Sequence, residues 1–215
     1  MNGFTAALRA IIVLPLLALA ACSSPMGERM GQSVSIMRDF QRGKSTIPSA
    51  VFEHAKGVAI IRETNAALLV GGSGGGGVFM KKQGFGWTAP VAINTVGASI
   101  GLQAGGQTRD IVIVMNTENE IAAFLDDGVY ALAEISAVAG PAQTDPYNAG
   151  GPVPSTYYYL RTEGIFGGAL VGGVHFSTAD KINRECYGAD ATVGDILNGK
   201  YPAPSGATVL WQSLN

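Results

Sequence analysis

The chain of 215 residues carries 14 basic and 16 acidic side chains, a formal charge of −2, and is 47% hydrophobic but only 14% charged. That balance gives no electrostatic footprint for nucleic acid, and the length is enough to bury one sizeable core. Two histidines (His54, His175) and two cysteines (Cys22, Cys186) offer no close-spaced metal-ligand set, and the 30 glycines follow no collagen period.

The first residues hold one cation, Arg9, followed by an apolar run from Ala10 to Ala21. The run is shorter than the roughly 20 residues a membrane-spanning helix needs, and has the length of a signal-peptide core. It ends Leu19-Ala20-Ala21-Cys22, which resembles the bacterial lipobox. There a branched aliphatic and two small residues let a peptidase close on the backbone, and the cysteine thiol takes the lipid. The expectation is a lipoprotein: residues 1–21 are removed by cleavage after Ala21, Cys22 is lipid-modified, and residues 22–25 form a tether. A plain signal peptide with a chance cysteine is the alternative. By the known sorting pattern, Ser23 directs such a protein to the outer membrane of a two-membrane cell, on the periplasmic side. Anchoring by several acyl chains is stable, at about 0.8 kcal/mol per buried methylene. With Cys22 modified, Cys186 has no disulfide partner and reads as a small buried hydrophobe.

From Met26 to Gln41 the apolar residues Met26, Met30, Val34, Met37 and Phe40 recur at helical spacing, with Arg38 and Arg42 on the other side and Lys44 beyond. Residues 26–45 therefore read as an amphipathic helix. Its stripe either packs on the core or lies on lipid beside the anchor. Residues 46–215 read as one domain. A short helix with Pro48 early runs to about Lys56 and stops at Gly57. Strand patterns follow at 58–62, 66–70, 78–82, 87–93, 98–103 and 111–115, separated by glycine-rich breaks. Thr117-Glu118-Asn119-Glu120 forms a capping box for a helix to Leu125. Residues 129–138 read as strand, and 140–154 as a long Pro/Gly/Asn-rich loop. Residues 157–161 and 165–174 read as a strand pair, Thr192 caps a helix that Gly199 closes, and 207–212 reads as a last strand. The fold class is α+β: a mostly antiparallel sheet or partial barrel of short strands with a few peripheral helices.

Gly71-Gly72-Ser73-Gly74-Gly75-Gly76-Gly77 matches two catalytic patterns. The dinucleotide fingerprint needs a following helix to hold pyrophosphate and an acid about 20 residues on. Here Val78-Phe79-Met80 reads as strand, and no acid lies between Glu63 and Asp110. A serine-hydrolase elbow at Ser73, with His175 as partner, needs the same absent helix. The simpler reading is a tight turn or bulge where backbone passes close to backbone. No catalytic residue, metal or cofactor is implied. The acid-free stretch does hold Lys81 and Lys82, a basic region suited to anionic headgroups at roughly 1 kcal/mol per surface cation.

Several ordered blocks resemble the SYLF domain family. They are Ala55-Lys56-Gly57-Val58-Ala59-Ile60-Ile61, then residues 69–78, Gly86-Trp87-Thr88-Ala89-Pro90, residues 97–106, residues 110–116 and Glu163-Gly164-Ile165-Phe166-Gly167-Gly168. Asn183 with Tyr187-Gly188 completes the set. The resemblance covers nearly all of the domain and implies lipid binding without catalysis. Eukaryotic members bind phosphoinositides, partly through an amphipathic N-terminal helix, and some bind actin; bacterial members are mostly lipoproteins. The expected partner is a phospholipid membrane, with anionic lipids favoured. The residues expected to touch it are Met30, Val34, Met37, Arg38, Phe40, Arg42, Lys44, Lys81 and Lys82. A protein-docking envelope scaffold is the main alternative, and a hydrolase using Ser73 a remote one.

Overall fold

A computed structural model describes residues 24–42, 46–126, 129–130, 138–139, 154–168 and 171–214. The lipobox, Lys44 and most of the 140–154 loop lie outside them. The first element, α1 (Pro25–Arg42), begins where its chemistry dictates. The Ser24 hydroxyl accepts from the Gly27 N–H at 3.1 Å, and Pro25 takes the first helical position. The expected tether is thereby shortened, because Ser24 and Pro25 belong to the helix start. Glu28 in the first turn and Arg42 in the last complement the helix dipole. A short α2 (Ser49–His54) leads into the sheet.

The sheet is dominated by two long strands, β1 (Gly57–Gln83) and β3 (Val91–Met115). The six short strands of the sequence reading fuse into them, apart from the small β2 (Gly86–Trp87). The two run antiparallel from Gly57–Met115 to Phe79–Val91, with one irregularity between Leu68 and Val70. On its other edge β3 pairs with β6 (Thr156–Gly168) along one half and β7 (Val171–Thr178) along the other. The glycine breaks do not end strands because each glycine keeps its ladder partner: Gly71 to Gly77 face Ser99 to Ile93. Two small strands complete the sheet. β4 (Val129–Tyr130) is antiparallel to β7, and β5 (Val138–Ala139) is parallel to β6. The architecture is α+β, with an open, mostly antiparallel seven-stranded sheet.

β1 folds over on itself. The Lys82 N–H donates to the Lys56 carbonyl at 2.7 Å, joining the two ends of one strand. Further in, Gly75 lies on Arg62–Glu63 and Gly77 on Ile60–Ile61, at backbone-to-backbone range. Each face of the sheet then has its own core. One contains Ile61, Phe79, Ile93, Ile111, Ile113, Phe124 and Phe176. It is packed by α3 (Glu118–Asp126) and α5 (Val193–Leu197), whose Ile121, Phe124, Ile196 and Leu197 are buried in it. Both helices start on the threonines that the sequence marks: Thr117 Oγ1 accepts from Glu120 N and Thr192 Oγ1 from Asp195 N. The other core holds Val58, Ile60, Val78, Met80, Val112 and Val114.

That second core is covered by α1, by α4 (Asp180–Tyr187) and by α6 (Ala207–Gln212). The expected last strand at 207–212 is therefore a helix. Ala207, Leu210 and Leu214 are buried at helical spacing, and six residues were too few to separate the two periods.

Candidate functional site

The apolar stripe of α1 is spent on the protein's own core. Met26, Met30, Ile36, Met37 and Phe40 are buried, Val34 packs partly against them, and Phe40 meets the Tyr159 ring edge-on at 6.5 Å. Of the two readings of that stripe, core packing is the one observed. Met30, Met37 and Phe40 thus have no lipid-facing surface in this structure. Ser33, missed from sequence, is also buried, its hydroxyl donating to the Arg29 carbonyl four residues back. Near its C-terminal end α1 presents Arg38, Gln41 and Arg42 to solvent, while the acid Glu28 is exposed at the opposite end. Asp39 is half-buried and paired with Arg161 at 3.2 Å, so it does not cancel these arginines directly. Arg29 is drawn inward instead, donating to Asn94 Oδ1 at 3.0 Å while its guanidinium lies over Gly76; burial lowers its pKa.

Between α1 and α6 runs an open groove of about 250 Å³, lined by Met30, Val34, Arg38, Gly206 and Val209 among others. It is below the roughly 300–1,000 Å³ of small-molecule pockets. A half-exposed Val209 and the Arg38 guanidinium make it an apolar trough with one positive edge.

Lys81 and Lys82 are not brought together with Arg38 and Arg42 by any contact among the described residues, and both have internal partners. Lys81 pairs with Glu118 at 2.8 Å. Lys82 donates to the Phe52 carbonyl at 3.2 Å and stands 4.7 Å above the Trp87 ring. Burial, opposed by Glu53, lowers the Lys82 pKa.

The family block around Asn183 has a structural explanation. Asn183 is buried and grips both backbone groups of Ala92, accepting from its N–H at 2.8 Å and donating to its carbonyl at 3.1 Å. The Tyr187 hydroxyl donates to the Pro90 carbonyl at 2.6 Å. Burial, with Cys186 beside it, pushes the Tyr187 pKa up, and burial also raises that of the Cys186 thiol. Asn183→Ala orphans the Ala92 N–H, while the Ala92 carbonyl keeps its bond from the Ala179 N–H at 2.8 Å, and is expected to cost about 1–3 kcal/mol, the range for one unsatisfied buried group. Urea denaturation monitored by circular dichroism checks this.

Ser73 and His175 do not form a catalytic pair. Ser73 lies opposite Gly97, which lies opposite Val174; His175 is the next residue and so points to the other face of the sheet. Among the described residues, no group of three or more His, Cys, Asp or Glu is placed to hold a metal.

These features define a small α+β domain that exposes a helix-borne arginine pair beside a shallow trough. Residues 96–215 match the family model Ysc84, described as "Las17-binding protein actin regulator", and the chain belongs to this family. It is 32% identical over 174 residues to LAS seventeen-binding protein 3 of Saccharomyces cerevisiae, covering 78% of this chain and 38% of that protein. It is 33% identical over 174 residues to Protein YSC84 of the same organism, covering 78% of this chain and 37% of that protein. SH3 domain-containing YSC84-like protein 1 of Homo sapiens is 29% identical over 197 residues, covering 86% of this chain and 57% of that protein. The chain thus spans less than two thirds of each of these relatives. No solved structure matches it.

Proposed function

We propose that this is a non-enzymatic envelope lipoprotein, held by lipid on Cys22 after cleavage at Ala21, whose domain contacts phospholipid surfaces. The observation that carries the reading is the exposed pair Arg38 and Arg42 on α1, with Lys44 following. Only Ser23 separates Cys22 from the Ser24 cap of that helix. A domain tethered so closely meets the same leaflet as an intramolecular event, so weak affinity suffices. Since the Met stripe is buried, contact rests on the arginine face and the trough beside it. The small volume of that trough favours surface contact over carrying a whole lipid. The lipid anchor places the protein in the cell envelope, on the periplasmic face of the outer membrane where two membranes exist.

Residues 23–215 contain every described residue, so they serve for a flotation test. Anionic vesicles are expected to retain them better than neutral ones, and Arg38→Glu with Arg42→Glu to abolish the difference. Equal retention on both vesicle types before mutation sinks the headgroup preference, and no retention on either sinks lipid contact. Among the described residues no helix is long and apolar enough to cross a membrane. A second reading, a scaffold that docks a protein partner, is favoured by the name of one yeast relative and by the family description, which name binding to another protein. In-cell crosslinking that recovers one stoichiometric protein, without lipid retention, would support it.

A further inference from the structure

The most exposed large apolar side chain among the described residues is Phe85, at 108% of its reference accessibility, against 63% for Val96, 53% for Val209 and 48% for Leu160. The other three are partly covered by the protein, whereas Phe85 is fully exposed. A phenylalanine left in water forgoes about 1.5–3 kcal/mol of burial.

Its setting is stiff. The register Lys82↔Trp87 and Gln83↔Gly86 makes Gly84-Phe85 a two-residue turn between β1 and β2, with Gly84 at φ +58°. Behind the turn, the Thr88 N–H donates to the Lys81 carbonyl at 2.9 Å, and the Lys81 N–H donates to the Thr88 hydroxyl at 3.0 Å. The Trp211 indole donates to the Thr88 carbonyl at 3.2 Å, tying the hairpin to α6. Trp87 itself is buried under the Lys82 ammonium. A braced hairpin therefore holds one aromatic ring out into solvent, with exposed Gly84 and Gly86 on either side.

We infer that Phe85 is a lipid-inserting residue, entering the headgroup–acyl boundary of a phospholipid leaflet. This rests on the lipid-contact reading above and names the residue that penetrates. A single protruding ring fits a soft interface, which needs no shaped receptor. A protein partner would instead call for a surrounding patch that meets a complementary pocket. Only the ring needs to enter, so the turn's backbone groups stay at wet depth. Because Lys81 and Lys82 are internally partnered, insertion requires no anionic lipid, in contrast to contact through Arg38 and Arg42.

The test uses residues 23–215 with vesicles of phosphatidylcholine alone and of phosphatidylcholine with phosphatidylglycerol. Phe85→Ala is expected to fold as the parent does, since the ring is fully exposed, and to partition about tenfold more weakly onto both vesicle types, at low and high salt. F85W adds an indole whose emission is expected to shift to the blue on vesicles and to be quenched by brominated acyl chains. The native Trp87 and Trp211 are already packed and serve as the background. Retention of the parent on vesicles with undiminished binding of Phe85→Ala, or with an unshifted F85W indole, overturns the assignment alone. A blue shift that grows with protein concentration in the absence of vesicles assigns the ring to self-association and also overturns it. Failure of the parent to bind any vesicle overturns the lipid reading itself.

Discussion

Gly77→Ala is expected to destabilise the fold at or beyond the upper end of the roughly 1–3 kcal/mol typical of overpacking, read as a lower urea midpoint. A methyl carbon at Gly77 would overlap the Ile60 carbonyl oxygen and stand 2.8 Å from both the Ile60 carbonyl carbon and the Ile61 Cα. These are backbone atoms of the same strand, fixed by the ladder to β3, and cannot rotate aside as a side chain would. Gly75→Ala meets the same obstacle at the Arg62 carbonyl and the Glu63 Cα. The comparison that isolates the cause lies within the same run. At Gly72 and Gly74 the nearest atom to the added carbon is a carbonyl oxygen at 4.0 and 3.8 Å. Alanine there is expected to be neutral or to stabilise by about 0.5–1 kcal/mol, by removing glycine's backbone entropy in the unfolded chain. If all four substitutions cost the same, the close crossing of β1 over itself is not what the glycines serve.

Arg109→Met is expected to cost about 3–5 kcal/mol, and the double variant Glu63→Leu with Arg109→Met to recover most of it. Glu63 is fully buried and Arg109 nearly so, with Nε 3.6 Å from Oε2. That separation is an ion pair without a hydrogen bond. Both Glu63 oxygens, Asn65 Oδ1, Thr95 Oγ1 and the Tyr158 hydroxyl find no hydrogen-bond partner among the described residues. Thr95 faces Gly75 on the ladder, and Gly75 lies against Glu63, so these groups share the inside of the folded sheet. Burial raises the Tyr158 pKa to about 12, with Arg109 lowering it and Glu63 raising it. Removing the arginine leaves a buried carboxylate with no countercharge, whereas removing both leaves no buried charge and extends the apolar contacts of Ile61 and Ile111. Denaturant titrations of the two singles and the double separate the coupling from the packing change.

What could be read from the residues alone was local. The α1 stripe, the Thr117 and Thr192 caps and the stop at Gly199 each depend on neighbours within one or two turns, and each lies where its pattern indicates. The merged strands did not show, because a glycine in a ladder and a glycine in a turn are the same letter. Only the partner strand and the crossing at Ile60 to Glu63 tell them apart. The same limit explains the lipid-facing residues. Periodicity identified one apolar face on α1 but not what lies against it, and the structure sets the sheet there. Lys81 and Lys82 read as a free basic pair until Glu118 and Phe52, distant in sequence, are brought beside them. Phe85 carried no periodic signal; its position between two glycines is the clue that was available.

The pairing of β3 along both of its edges bears on how the chain reaches this state. Its rungs with β1 close progressively wider loops, from Phe79–Val91 near the hairpin to Gly57–Met115 at the far end. The rungs with β6 must wait for residues synthesised far later. Such non-local pairing belongs to the slow end of folding rates, since loop entropy is lost before most contacts form. The ribbon can lengthen rung by rung from its turn, but the self-crossing at Gly75 to Gly77 can close only after half the ribbon exists. Until then the acid-free middle of the ribbon, though paired, lacks the crossing that folds it over. That interval is when a nascent chain of this kind is most exposed to aggregation, or to capture by a chaperone.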